Sequence, residues 1–232
     1  YTDALTMADH VMTARHVIKE LARQAGLVAS FMPKPLSHEQ GSGMHTHLSL
    51  WRGEENAFVG DGHYGLSPLA QHFVAGLMRH AAEITAVTNQ WVNSYKRLVP
   101  GHEAPVHTSW SHAIPSSLVR VPTVKTGRRE STRVEYRAPD PAANPYLAFA
   151  VILAAGLRGV EGAYELPAEG DVVGSLPRSL AEAVDLMEQS ELLHDTLGDH
   201  LVEWFLRNKR EEWARYRSEV TPFEWASYLP LL

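Results

Sequence analysis

Apolar residues recur every three to four positions in several stretches of the chain, and this period predicts amphipathic helices. The first helix is predicted over residues 3–25, with Gly26 as its stop signal. Two further helices are predicted to begin at Ser67 and Asn144, because each of these capping residues precedes a proline suited to the first helical turn. From residue 176 onward the pattern is helical almost throughout.

Strand patterns are shorter and occur early and in the middle of the chain. Strands are predicted at residues 44–51, 117–122 and 132–138, and the apolar run at 27–32 could be a further short strand. The segment 89–144 is rich in Pro, Gly, Ser and Arg and has no helical period, so we expect short strands joined by long functional loops. Together these elements predict an α+β fold whose C-terminal third is helical.

Composition narrows the class of protein. A chain of 232 residues with 44% hydrophobic and 21% charged residues is typical of a soluble globular protein. The net charge of −6 disfavours nonspecific binding to nucleic acid, which needs a basic surface. The absence of cysteine excludes disulfides, zinc–thiolate sites and a thiol nucleophile, and it fits a cytoplasmic protein. The sequence contains no run of about 18 uncharged apolar residues, so it predicts no membrane span.

Two of the predicted strands place polar groups at every second position, and such side chains share one face of a strand. The aligned groups are His45, His47 and Ser49 on the first strand and Arg133, Glu135 and Arg137 on the second. Imidazoles beside an Arg-Glu-Arg row suit a metal ion held next to phosphate groups. We expect Glu135 to stay ionised, because arginines flank it on both sides.

Each motif also has a plain structural interpretation. The two histidines could simply alternate on a half-buried strand, and the Arg-Glu-Arg row could be a solvated edge. Gly41 and Gly43 favour the functional interpretation, since glycines allow a ligand to approach the backbone closely. The stiff exit from the second strand, Pro-Asp-Pro-Ala-Ala-Asn-Pro at residues 139–145, is unusual for a surface hairpin.

Further charged groups lie in the irregular middle of the chain. Arg97 and Arg120 have apolar neighbours and are predicted to bind a polyanion such as a nucleoside triphosphate, whereas Arg128 and Arg129 fit an ordinary soluble surface. Glu103 lies on a loop bounded by glycine and proline, which suits a mobile lid with a general base as well as a plain surface position. The chain contains neither a Walker phosphate loop nor a G-x-G-x-x-G motif.

Four stretches of the chain resemble glutamine synthetases, and they occur in that family's order: residues 31–35, 41–49, 93–101 and 133–146. The similarity runs over essentially the whole chain and is greatest to the bacterial type I branch, which includes γ-glutamyl-amine ligases. The resemblance implies a ligase that makes γ-glutamyl phosphate from ATP and glutamate. Ammonia or an amine then displaces the phosphate, inside a funnel of antiparallel strands that holds two divalent cations, Mg²⁺ or Mn²⁺.

The resemblance also implies a role for each motif residue. His45 and Glu135 would bind the cation near the phosphates of ATP. The nucleotide itself would contact His47, Ser49, Arg120 and Arg133.

Glutamate would be held by Arg97, by Arg137 and by the backbone at Gly41. Glu103, on a flap that closes the site, would accept a proton from the attacking amine. Arg97 and Glu103 are therefore the predicted catalytic pair.

Three departures from the family pattern shape the expectation. The family's other metal-binding glutamates and its small N-terminal domain lie upstream of residues like 3–25, so we expect residues 1–232 to be a partial catalytic domain that is inactive alone. Gln40 replaces the usual asparagine, and Pro115 lies where an arginine is usual. Both changes favour an acceptor larger than ammonia, such as a polyamine.

Other functions stay open at this level. A metal-dependent hydrolase often has His-x-His on a strand, and a non-catalytic family member would contribute only to an assembly. For a ligase we expect small-molecule substrates and a homo-oligomer of the longer parent, without nucleic-acid or membrane partners.

Overall fold

The computed structural model describes residues 2–101 and 103–232, and it confirms the predicted α+β class. The α-helices in these residues are α1 (Ala4–Gln24), α2 (Pro68–Thr88), α3 (Ser94–Arg97), α4 (Pro145–Glu161), α5 (Leu180–Glu188), α6 (Glu191–Leu197), α7 (Asp199–Ser218) and α8 (Pro222–Tyr228). Short 3-10 turns occur at His63–Gly65 and Arg129–Ser131.

The predicted helix starts are confirmed by their caps. The Ser67 hydroxyl accepts a hydrogen bond from the main-chain N–H of Ala70 at 3.1 Å, and the Asn144 side chain accepts one from Tyr146 N at 3.0 Å. Each bond satisfies a donor that the first helical turn leaves free. The following prolines occupy the first turn, where no main-chain donor is needed.

The strands are short: β1 (Thr46–Leu48), β2 (Trp51–Arg52), β3 (Glu55–Asn56), β4 (His107–Thr108), β5 (Trp110–Ser111), β6 (Val119–Arg120), β7 (Val134–Tyr136) and β8 (Gly174–Ser175). Four of them form a sheet in the order β1-β7-β6-β5. β7 is antiparallel to both of its neighbours, whereas β5 and β6 run parallel.

Two expectations about local structure are wrong. Residues 27–32 form no strand; Leu27 and Val28 are exposed, and the run pairs with no strand among the described residues. The segment 89–144, predicted to lack helix, contains α3, whose single turn is too short to show a helical period in the sequence.

Helix α1 has its predicted bounds within a residue, yet Ala8 is its one buried side chain among the described residues. Leu5, Met12 and Leu21 of the predicted apolar stripe are exposed. The Arg15 guanidinium ties the helix to the start of α4 by donating to the Ala143 carbonyl at 2.9 Å.

The core lies between α2 and α4 and extends to one face of the sheet. The two helices cross at glycines: a Cβ added at Gly76 would lie 2.3 Å from the Ala155 carbonyl oxygen, and one at Gly159 would lie 2.2 Å from that of His72. Their backbones are therefore in direct contact. Because the core covers one face of the sheet, the polar side chains must lie on the other.

Candidate active site

The register of the sheet aligns three charged or titratable residues across three strands. His47 on β1 is paired with Glu135 on β7, which is paired in turn with Arg120 on β6. Side chains of paired residues point to the same face of a sheet. The intervening residues Val134 and Tyr136 are fully buried on the core side. The site face is thus set by the pairing of strands that are far apart in sequence.

Glu135 lies at the centre of this face. One carboxylate oxygen, Oε1, is 3.0 Å from His45 Nδ1 and 3.5 Å from a terminal nitrogen of Arg137, and Oε2 accepts from Arg120 Nε at 2.5 Å. Burial alone would raise the pKa of this carboxyl group, but the hydrogen bond with His45 and the charge of Arg120 lower it to about 2. Glu135 is therefore an ionised carboxylate inside a cationic ring.

His47 and Arg133 form a second contact beside this centre. Arg133 Nε donates to His47 Nδ1 at 3.2 Å, so His47 must be unprotonated at that nitrogen. Burial lowers the pKa of His47, and the nearby arginines lower it further, although the Glu135 charge opposes them. Ser49 directly follows β1, and its hydroxyl accepts a hydrogen bond from Trp51 Nε1 at 2.9 Å.

Arg97 is buried and supports the exit of β7. Its guanidinium donates to the Ala138 carbonyl at 2.6 Å and to the Arg137 carbonyl at 3.2 Å. Burial lowers the pKa of Arg97 to about 10, and the Asp140 carboxylate partly opposes this effect. Much of the hydrogen-bonding capacity of Arg97 is therefore committed to the main chain, which the sequence did not indicate.

A cleft of about 130 Å³ opens next to Arg97 and His45. It is lined by Gln40, Gly41, Gly43, His45, Arg97, Glu103 and Ala104. The structure thus brings the predicted base Glu103 to the same cleft as His45, although the two are 58 positions apart in the sequence. Pro115 is exposed on a separate loop, where Ser117 N donates to the Ile114 carbonyl at 3.2 Å.

Comparison with known proteins identifies the family of this chain. The family model described as the catalytic domain of glutamine synthetase matches residues 1–228.

The chain belongs to the glutamine synthetase catalytic-domain family.

Individual relatives support the assignment. The chain is 54% identical, over an alignment of 246 residues, to the glutamine synthetase of Mycobacterium tuberculosis, and the match covers 100% of this chain and 55% of that protein. It is 44% identical to the glutamine synthetase of Methanococcus maripaludis, with 100% and 54% covered. The chain therefore spans about half the length of the curated relatives it matches.

Solved structures give the same result for the fold. A GmaS–ADP complex superimposes with a TM-score of 0.89 at 40% identity, covering 99% of this chain and 56% of that one. A cryo-EM structure of Plasmodium falciparum glutamine synthetase gives a TM-score of 0.89 at 25% identity, covering 98% and 55%.

The donor set at Glu135 fits part of a site for a hard divalent cation. His45 and Glu135 offer an imidazole nitrogen and a carboxylate, which suit Mg²⁺ or Mn²⁺. Within residues 2–101 and 103–232, no group of three or more His, Asp or Glu side chains could hold a metal ion. Since such cations take about six ligands, this pair would need further ligands from phosphate, water or other protein groups.

Asp140 is a residue of this glutamine synthetase domain that the sequence analysis did not single out. It is fully buried, accepts hydrogen bonds from the side chain of Asn89 and the main chain of Ala142, each at 3.0 Å, and supplies negative charge close to Arg97. Its position between two prolines in the strand exit was a usable signal, because a carboxylate in so rigid a segment requires fixed donors.

Arg128 and Arg129 lie on the exposed surface, in line with the simpler interpretation of them. Arg129 pairs with Asp61 at 2.8 Å. In the described part of the chain, no helix is both long and apolar enough to cross a membrane.

Proposed function

We propose that the full-length protein containing this chain is an ATP-dependent ligase that joins glutamate to ammonia or an amine. Family membership and the names of the curated relatives support a reaction that forms a carbon–nitrogen bond. The observation that carries the proposal is the ionised Glu135, which meets His45 from the segment directly before β1 and Arg120 from β6.

ATP would bind along the site face of the sheet. Arg120 and Arg133 supply guanidinium groups for its phosphates. His47 lies on the neighbouring strand β1, and Ser49 directly follows that strand. His45 and Glu135 would hold Mg²⁺ or Mn²⁺, which neutralises phosphate charge when bound.

Glutamate would occupy the cleft that Gly41 and Arg97 line, held by Arg97 and by the backbone at Gly41. Arg137, which contacts Glu135 beside this cleft, would be its second arginine partner. A γ-carboxylate oxygen of glutamate attacks the terminal phosphorus of ATP, and ADP leaves. The nitrogen of ammonia or an amine then attacks the acyl carbon, the bond from that carbon to the phosphate oxygen breaks, and Glu103 accepts the proton from nitrogen. The position of Glu103 on the cleft wall supports this role.

An acceptor larger than ammonia is a second candidate, supported by Gln40 in the cleft. The hydrolase alternative has no support, because the relatives are named as synthetases. We also propose a cytoplasmic homo-oligomer without nucleic-acid or membrane partners.

A panel of acceptors tests both candidates in the full-length protein. With ATP, glutamate and Mg²⁺, we expect phosphate release and γ-glutamyl amide formation in equal amounts with at least one acceptor. A kcat/KM for polyamines or methylamine about tenfold above that for ammonia would establish the amine ligase, and the reverse ratio would establish a glutamine synthetase. Absence of amide with every acceptor would overturn the ligase proposal.

A further inference from the structure

We propose that Gln40 is a positioning residue that holds the flap around Glu103 against the opposite wall of the cleft. Its side-chain Oε1 accepts a hydrogen bond from the main-chain N–H of Glu103 at 3.1 Å. Among the described residues, this is the one hydrogen bond that joins the flap to the segment before β1.

The segment that carries Gln40 is held in place by hydrogen bonds of Asn93 and Lys34. The Asn93 side chain clamps the main chain of Lys34 by accepting from its N–H at 2.7 Å and donating to its carbonyl at 3.0 Å. The buried ammonium group of Lys34 in turn donates to the main-chain carbonyl of Glu39, the residue directly before Gln40. Gln40 therefore extends from a segment whose backbone is already held.

The residue after Gln40 is equally restricted. A Cβ added at Gly41 would lie 2.7 Å from the Pro33 carbonyl oxygen and 2.8 Å from Arg97 Cγ, so this backbone lies directly against the buried arginine. Ser42 N also donates to the Pro33 carbonyl at 2.8 Å. Because both neighbours of Gln40 are fixed, its side-chain oxygen can hold the main chain of Glu103 in place; this contact is the Gln40 catch.

The flap side has the features of a pivot. Gly101 adopts φ +86° with no neighbouring atoms around its Cβ direction, whereas Ala104 is buried and anchors the far end of the loop. Glu103 between them is exposed, and its negative charge partly opposes the lowering of the pKa of Arg137 that burial causes. The contact with Gln40 is thus made between the uncrowded Gly101 and the buried Ala104.

The reach of glutamine matters for this contact. An asparagine at position 40 would be shorter by one carbon–carbon bond, about 1.5 Å. With the backbone fixed, the distance from its side-chain oxygen to the Glu103 nitrogen would be roughly 4 Å or more, which is beyond hydrogen-bonding distance. The longer side chain is therefore what allows the flap to be tied in this position.

The consequence for catalysis rests on the proposed function. If water reaches the acyl phosphate, its oxygen attacks the acyl carbon, the bond to the phosphate oxygen breaks, and glutamate and phosphate are released without amide formation. A flap held by Gln40 restricts water and keeps Glu103 beside the attacking amine. Gln40 should therefore raise the amount of amide formed per phosphate released.

Hydrogen exchange at the Glu103 amide tests the contact itself, independently of any activity. In the full-length protein, we expect this amide to exchange roughly threefold to tenfold faster in Gln40→Met and Gln40→Asn, the range for loss of one hydrogen bond. Gln40→Glu keeps an acceptor oxygen at the same reach and should restore slow exchange. Gln71→Met, which removes a hydrogen bond from the Gln71 side chain on α2 to the Leu66 carbonyl, is the matched control and should leave the Glu103 amide unchanged. Unchanged exchange in Gln40→Met would overturn the catch.

Coupling of the reaction tests the consequence. In Gln40→Met we expect the ratio of phosphate released to amide formed to rise about threefold, with KM for ATP unchanged. If exchange accelerates but the ratio stays at the wild-type value, the positioning role is wrong. If exchange accelerates and the wild-type protein makes no amide with any acceptor, the catch stands and the ligase proposal fails.

Discussion

Glu135 shows at the scale of one residue how a buried carboxylate is kept ionised. Its oxygens face His45, Arg120 and Arg137. The attraction between the carboxylate and the two guanidinium groups compensates for the hydration that these charges lose on burial. An arginine–carboxylate pair alone would be an ordinary structural ion pair. The imidazole of His45 beside the same oxygen adds a nitrogen ligand, and an imidazole with a carboxylate can bind a cation.

Replacing Glu135 with glutamine removes the negative charge but keeps the shape. In the full-length protein, Glu135→Gln is expected to lower kcat/KM by on the order of 100-fold or more, because both metal binding and the orientation of Arg120 depend on the charge. Kinetic assays at several Mg²⁺ concentrations measure the effect. The matched control is Glu130→Gln on the exposed turn before β7. Wild-type activity in Glu135→Gln would remove this residue from the site.

The contact between α2 and α4 illustrates the scale of elements. Gly76, Gly156 and Gly159 allow the two backbones to touch, and a Cβ added at Gly156 would lie 2.2 Å from the Phe73 ring. The strand exit and α4 follow directly after β7, so this crossing also fixes where β7 lies. Packing of two helices thereby supports a sheet whose strands have only two or three residues.

The sign of a glycine substitution tests this crossing. In an uncrowded helix, Gly→Ala stabilises by about 1 kcal/mol. Gly159→Ala should instead destabilise the protein by about 1–3 kcal/mol, since its Cβ would collide with main-chain atoms of α2 that cannot rotate away. Chemical denaturation of the full-length variant measures the free energy of unfolding. A stabilised Gly159→Ala variant would contradict the close crossing.

At the scale of the whole molecule, Glu83 joins α2 to the C-terminal helices. Its carboxylate is 2.5 Å from His80 Nδ1 and accepts a hydrogen bond from the Ser190 hydroxyl at the start of α6. Burial would raise the pKa of Glu83, but these hydrogen bonds and the charges of His80 and Arg158 hold it below its ordinary value of 4.5.

This pKa shift predicts a pH dependence of stability. A carboxyl group with a lowered pKa in the folded state contributes stability above the unfolded value of about 4.5 and loses it as pH falls through the folded value. In Glu83→Gln, the free energy of unfolding should therefore fall less steeply below about pH 4.5 than in the wild type. Denaturation series between pH 7 and 3 measure this slope, with the exposed Glu211→Gln as control. Equal slopes in wild type and Glu83→Gln would contradict the network.

The amino-acid sequence by itself determined the features that depend on near neighbours. Caps followed by proline defined the starts of α2 and α4, and the alternation at residues 45–49 and 133–137 separated polar from apolar faces, because strand geometry fixes that alternation locally. Only the tertiary structure decided which of these faces meet. The register that sets Arg120 beside Glu135, the commitment of Arg97 to main-chain carbonyls, and the contact of Gln40 with Glu103 all join distant segments. Such pairings depend on how helices and strands pack around a shared core, and no local period encodes that packing.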